Sequence, residues 1–81
     1  MASINWERAY SLLRDADYRV NEIADLAGVS RQTLNRVERG EAPTHEPGYA
    51  GGSQVLAAIK DELHAGKLTR EQVQQLKDPI G

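Results

Sequence analysis

The sequence has no cysteine among its 81 residues. Disulfides and thiolate metal sites are therefore excluded, and with them the staples that hold many small secreted domains together. No apolar run approaches the length of a membrane-spanning helix, and nothing at the amino end has the pattern of a signal peptide, so a cytoplasmic location is expected. Positive charge is scarce too: ten Lys and Arg stand against twelve Asp and Glu, a net charge of −2. This counts against a coat that binds nucleic acid regardless of sequence, whose affinity comes from neutralising phosphates. A sequence-specific reader needs its cations gathered on one face only, and Arg31 to Arg39 holds three arginines and a single acid. The chemistry of an enzyme is missing as well. There is no thiol nucleophile and no glycine loop to cradle a phosphate, and neither His45 nor His64 has companions at metal-ligand spacing. No catalytic residue, metal or cofactor is expected, and both histidines read as surface residues.

Eighty-one residues make one small domain, modest enough in core that a second copy would be a useful source of burial. Within it, Val20 to Gly40 is the most informative stretch. Ile23, Ala24, Ala27, Val29, Leu34 and Val37 fall at helical spacing on either side of a break at Gly28. That predicts two short helices meeting at an angle, with a turn at the glycine, Ser30 capping the second helix and Arg31 as its first residue. Ala24 is small enough to let the second helix cross close above the first.

This stretch resembles the helix-turn-helix of DNA-binding regulators, with Ala24, Gly28, Leu34 and Val37 at the small, turn and core positions. The run SRQTLNRVERG is similar to the Cro/CI-type, or lambda-repressor-like, group through Thr33, Arg36, Glu38 and Gly40. The resemblance implies an all-α fold, a compact bundle of about five helices containing a helix-turn-helix. It also implies a binding function rather than catalysis. In such domains a Glu at the place of Glu38 pairs with an Arg of the first helix, for which Arg14 is the nearest match and Arg8 the alternative. One departure stands out. Where the family often has a Ser or Thr cap followed by a phosphate-binding Gln, this chain has Arg19 and Val20.

The remaining elements can be read in order. A first helix, capped by Ser3 or Asn5, carries Trp6, Ala9, Tyr10, Leu13 and Ala16 on one face, and both aromatic residues are expected in the core. The second helix begins between Arg19 and Asn21. On the third, Arg31, Gln32, Asn35 and Arg36 are the candidates for base edges, because Arg matches guanine and Gln or Asn matches adenine in the major groove. Ser30 and Thr33 at its start, with Arg19 and Asn21, are the candidates for phosphates. A Gly- and Pro-rich stretch from Gly40 to Gly52 reads as a long loop; the resemblance implies that this segment touches DNA backbone or the dimer partner, for which Thr44, His45 and Tyr49 are the candidates, with Glu41 and Glu46 counting against a strong phosphate grip.

Ser53 is then expected to cap a fourth helix bearing Val55, Leu56, Ile59 and Leu63, which stops at Gly66. Thr69 and Gln72 form a capping-box pattern that opens a fifth helix, ended by Asp78 and Pro79. Leu68, Val73, Leu76 and Ile80 amount to more apolar surface than a last short helix readily buries, so they are assigned to a homodimer contact. The expected function is a small homodimeric repressor that binds double-stranded DNA at an inverted repeat, with half-sites roughly one helical turn apart. In size it resembles small phage or plasmid control proteins. The alternative is an antitoxin-like or adaptor module whose carboxyl helices grip another protein.

Overall fold

The computed structural model describes residues 4–76, which form five helices: α1 (Trp6–Asp15), α2 (Val20–Ala27), α3 (Arg31–Glu38), α4 (Tyr49–His64) and α5 (Arg70–Gln74). The expectation of an all-α, five-helix bundle is met. No helix among the described residues is long and apolar enough to cross a membrane.

Each of the first four helices stops by the same device. A residue in the left-handed region follows the last turn, and its N–H and that of the next residue return to carbonyls inside the helix, satisfying groups the helix end would otherwise leave open. At α2 the device is Gly28 (φ +70°), with Val29 N–H bonded to Ala24 O at 3.1 Å. At α3 it is Gly40 (φ +74°), with Glu41 N–H bonded to Arg36 O at 2.9 Å. Gly66 serves α4 in the same way. At α1 the position is held by Asp17 (φ +73°), a residue with a Cβ, and Tyr18 N–H reaches Leu13 O at 2.9 Å. Some helix starts are as specific: Asn5 Oδ1 accepts from Arg8 N–H, and Thr69 and Gln72 exchange the two bonds of a capping box.

The core draws on every element but α5. Tyr10, Leu12, Leu13, Ile23, Leu34, Val55 and Ile59 are all essentially inaccessible, and Trp6 packs half-buried against them. The most extensive helix contact is between α2 and α4. It is made close by Gly51, where a Cβ would lie 2.0 Å from the Ala27 carbonyl oxygen. This corrects the sequence reading of the region. Helix α4 begins at Tyr49 after an N-cap at Gly48, so Tyr49 to Gly52 are its first turn and not the end of a loop, and Ser53 caps nothing.

A second correction concerns the carboxyl end. Leu68 and Leu76 are 3% and 6% exposed, buried in the core of a single chain, and so are not free to hold a second copy. Val73 is only partly buried, and Ile80 lies outside the described residues, as do Asp78 and Pro79. Residues near α5 are also tied back to α1. Asn5 N–H donates to Leu76 O at 2.6 Å, and the Arg8 guanidinium donates to the Gln75 side chain. On the opposite side, Tyr18 O–H donates to Glu62 Oε1 at 3.1 Å, joining the α1–α2 turn to the end of α4.

Candidate nucleic-acid interface

Helix α3 is held on two sides and open on the rest. Leu34 and Val37 face the core, α1 and α2 both pack against it, and Ala24 of α2 is buried. At its start Ser30 Oγ accepts from Thr33 N–H at 3.1 Å and donates to Thr33 Oγ1 at 2.9 Å. This cap engages one first-turn donor and leaves other N–H groups at the positive end of the helix unpaired. It also uses the only hydrogen of the Ser30 hydroxyl, whereas that of Thr33 remains uncommitted.

The candidate base-reading residues Arg31, Gln32, Asn35 and Arg36 are all exposed. They do not form one group. Gln32, Asn35 and Arg36 share an open groove of about 610 Å³ with Thr33, Glu38 and Arg39. Arg31 lines a different concavity on the α2 side, together with Asn21 and Ser30. Arg39 was missed as a candidate. The signal for it was present, because Gln32, Asn35, Arg36 and Arg39 follow the i, i+3, i+4, i+7 spacing of one helix face. Its guanidinium Nε lies 2.7 Å from Glu41 Oε2.

Helix α2 starts with its amino end bare. Arg19 is the N-cap residue, and a guanidinium has no acceptor to offer the first turn. Only the return half of a capping box is made, from Arg19 N–H to Glu22 Oε1 at 3.0 Å. The N–H groups of that turn lie beside the exposed Arg19 and Asn21 side chains, with no side-chain acceptor from the cap residue.

Two contacts hold this face to the rest of the molecule. The Arg14–Glu38 pair forms as expected, but at 4.0 Å, with side-chain exposures of 44% and 29%. Glu38 Oε1 is itself buried without a hydrogen-bond partner. The second contact was unforeseen. His45 is half-buried, and its Nε2 is 2.7 Å from the hydroxyl of the fully buried Tyr10, their rings 5.6 Å apart. This corrects the reading of His45 as a surface residue free to meet DNA. Burial pushes the Tyr10 phenol up to about 12 and the His45 imidazole below its ordinary value, the latter partly opposed by Glu46. The Tyr10–His45 hydrogen bond fastens the α3–α4 loop to α1. Tyr49, by contrast, stands 93% exposed.

Two short packed helices joined through a left-handed glycine, the second showing solvent a face of amide and guanidinium groups, have the form of a helix-turn-helix. Residues 10–46 match the family described as Helix-turn-helix. The match supports a Cro/CI-like helix-turn-helix in this segment and indicates a DNA-binding transcription regulator in kind. No curated protein and no solved structure matches the chain. Among the described residues, no three acidic or histidine side chains are grouped to hold a metal ion.

Proposed function

We propose that the protein is a repressor that reads one sequence of double-stranded DNA by laying the amino end of α3 in the major groove. The observation that carries this reading is the groove in which Gln32, Asn35 and Arg36 lie together on the open side of α3. These side chains, with Arg31 beside the turn, have the donor and acceptor pairs that distinguish adenine and guanine edges. Phosphates on the near strand are taken by Arg19, Asn21 and the bare first turn of α2, and by Thr33, whose hydroxyl hydrogen is free; Ser30 contributes by fixing Thr33. A net charge of −2 limits the sequence-independent part of the affinity, so discrimination falls to the base contacts.

A short recognition helix reads only a few base pairs, and two copies related by a two-fold axis extend the site to an inverted repeat. Of the four residues first assigned to that contact, only Val73 is described and partly exposed, so the dimer reading rests on operator geometry more than on apolar surface. Occupying such a site near a promoter would block polymerase. Selection of bound sequences from random duplex DNA tests the reading, with an inverted repeat as the expected outcome. On the selected site, Arg31→Ala should relax base preference, whereas Arg19→Ala should weaken all sequences alike and lower the salt dependence. Recovery of no preferred sequence would overturn it.

A further inference from the structure

Arg39 and Glu41 form an ion pair at the far end of the recognition helix, and neither residue belongs to the core. The contact is short, 2.7 Å, and both side chains are at least half exposed, at 65% and 50%. The backbone around it is fixed. Gly40 N–H bonds to Val37 O at 3.0 Å and Glu41 N–H to Arg36 O at 2.9 Å, so Glu41 is held against the last turn of α3 instead of moving with the loop beyond it.

Helical rise separates Arg31 from Arg39 by about 12 Å, roughly the width of the major groove. When the amino end of α3 meets bases, Arg39 therefore arrives at the rim, where phosphates stand. Glu41 arrives with it. A carboxylate beside a phosphate is repelled, and it competes for the same guanidinium.

We propose that Arg39 is a further phosphate-binding residue and that Glu41 holds it back, an internal mimic of the phosphate that lowers affinity for all duplexes by the same factor. The proposal rests on the α3 reading above and adds its regulation. By weakening sequence-independent binding, the pair leaves a larger share of the binding energy to Gln32, Asn35 and Arg36.

The test is a double-mutant cycle over wild type, Glu41→Gln, Arg39→Ala and the combined variant. Each is titrated with the selected duplex and a scrambled one across a range of salt concentrations. Glutamine preserves the backbone bonds that place residue 41, and equal thermal melts verify that all four proteins fold. Glu41→Gln should tighten binding to both duplexes by about fivefold, the upper end of what an exposed ion pair is worth. It should also steepen the salt dependence by about one phosphate contact. Arg39→Ala should remove that gain in the Glu41→Gln background while costing little in the wild type.

If Glu41→Gln tightens binding equally with and without Arg39, Glu41 acts by repulsion alone and the proposal is wrong. Unchanged affinity in Glu41→Gln also overturns it. Failure of the underlying reading has a different signature, because the wild type would then bind selected and scrambled duplexes equally well whatever the cycle shows.

Discussion

Replacing Gly51 with alanine tests how α2, and through it the turn that carries α3, is seated on α4. The added Cβ would lie 2.0 Å from the carbonyl oxygen of Ala27 and 2.5 Å from its carbonyl carbon. Both are backbone atoms, so no side chain can rotate aside, and the helices must part by more than about 1 Å, a clash of the overpacking kind. Overpacking of this sort costs about 1–3 kcal/mol or more, and the better helix propensity of alanine returns only about 0.5–1 kcal/mol. A net loss of about 1–2 kcal/mol in a domain this size lowers the melting temperature by roughly 5–15 °C. Thermal unfolding followed by circular dichroism reads it directly.

Gly52→Ala is the control, because its Cβ would meet the tip of the Trp6 ring at 3.1 Å, and a side chain can give way. Its melting temperature should stay close to wild type. Gly51→Ala at least as stable as wild type would refute the reasoning, since α2 and α4 could not then be in the contact described.

Other outcomes follow from the same structure. Glu38→Gln should cost about 1 kcal/mol or less in chemical denaturation, because its pair with Arg14 is long and partly exposed; a loss of several kcal/mol would mean a buried, tight pair. The depressed His45 imidazole gives stability that is fully present above its unfolded value and lost as pH falls through the folded one, as the partly buried ring takes on a charge. Melting temperature should therefore drop on acidification below about pH 6.5, and a His45→Gln variant should lose that part of the dependence. Asp17→Gly should raise stability by about 0.5–1 kcal/mol, since a residue with a Cβ now occupies the left-handed position ending α1. The denaturant midpoint should move with no change in slope, and no movement would show that the aspartate is unstrained there.

Local signals carried most of the fold. The Gly28 turn, the start of α3 at Arg31 and the Thr69–Gln72 capping box all depend on residues within a few positions of each other and were legible, and of the two caps open for α1, Ser3 or Asn5, it is Asn5 that serves. What was not legible depends on distant partners. Gly51 and Gly52 read as loop because glycine breaks helices locally, whereas Gly51 lies in a helix to let the Ala27 backbone come close. His45 looked like a surface histidine because Tyr10, its partner, is 35 residues away. Leu68 and Leu76 suggested a dimer contact because nothing local shows that one chain buries both. At the interface, helical spacing was enough to find the exposed face of α3, and the same spacing carried one turn further reaches Arg39.

The most direct measurement is a resonance titration of the isotopically labelled protein with its selected duplex, following the side-chain amides of Gln32 and Asn35. If α3 reads base edges, those two signals should shift most, together with backbone amides at the starts of α2 and α3, while α5 stays unchanged. Shifts confined to α4 and α5, with the Gln32 and Asn35 amides unmoved at saturation, would contradict the assignment of α3 as the reading helix.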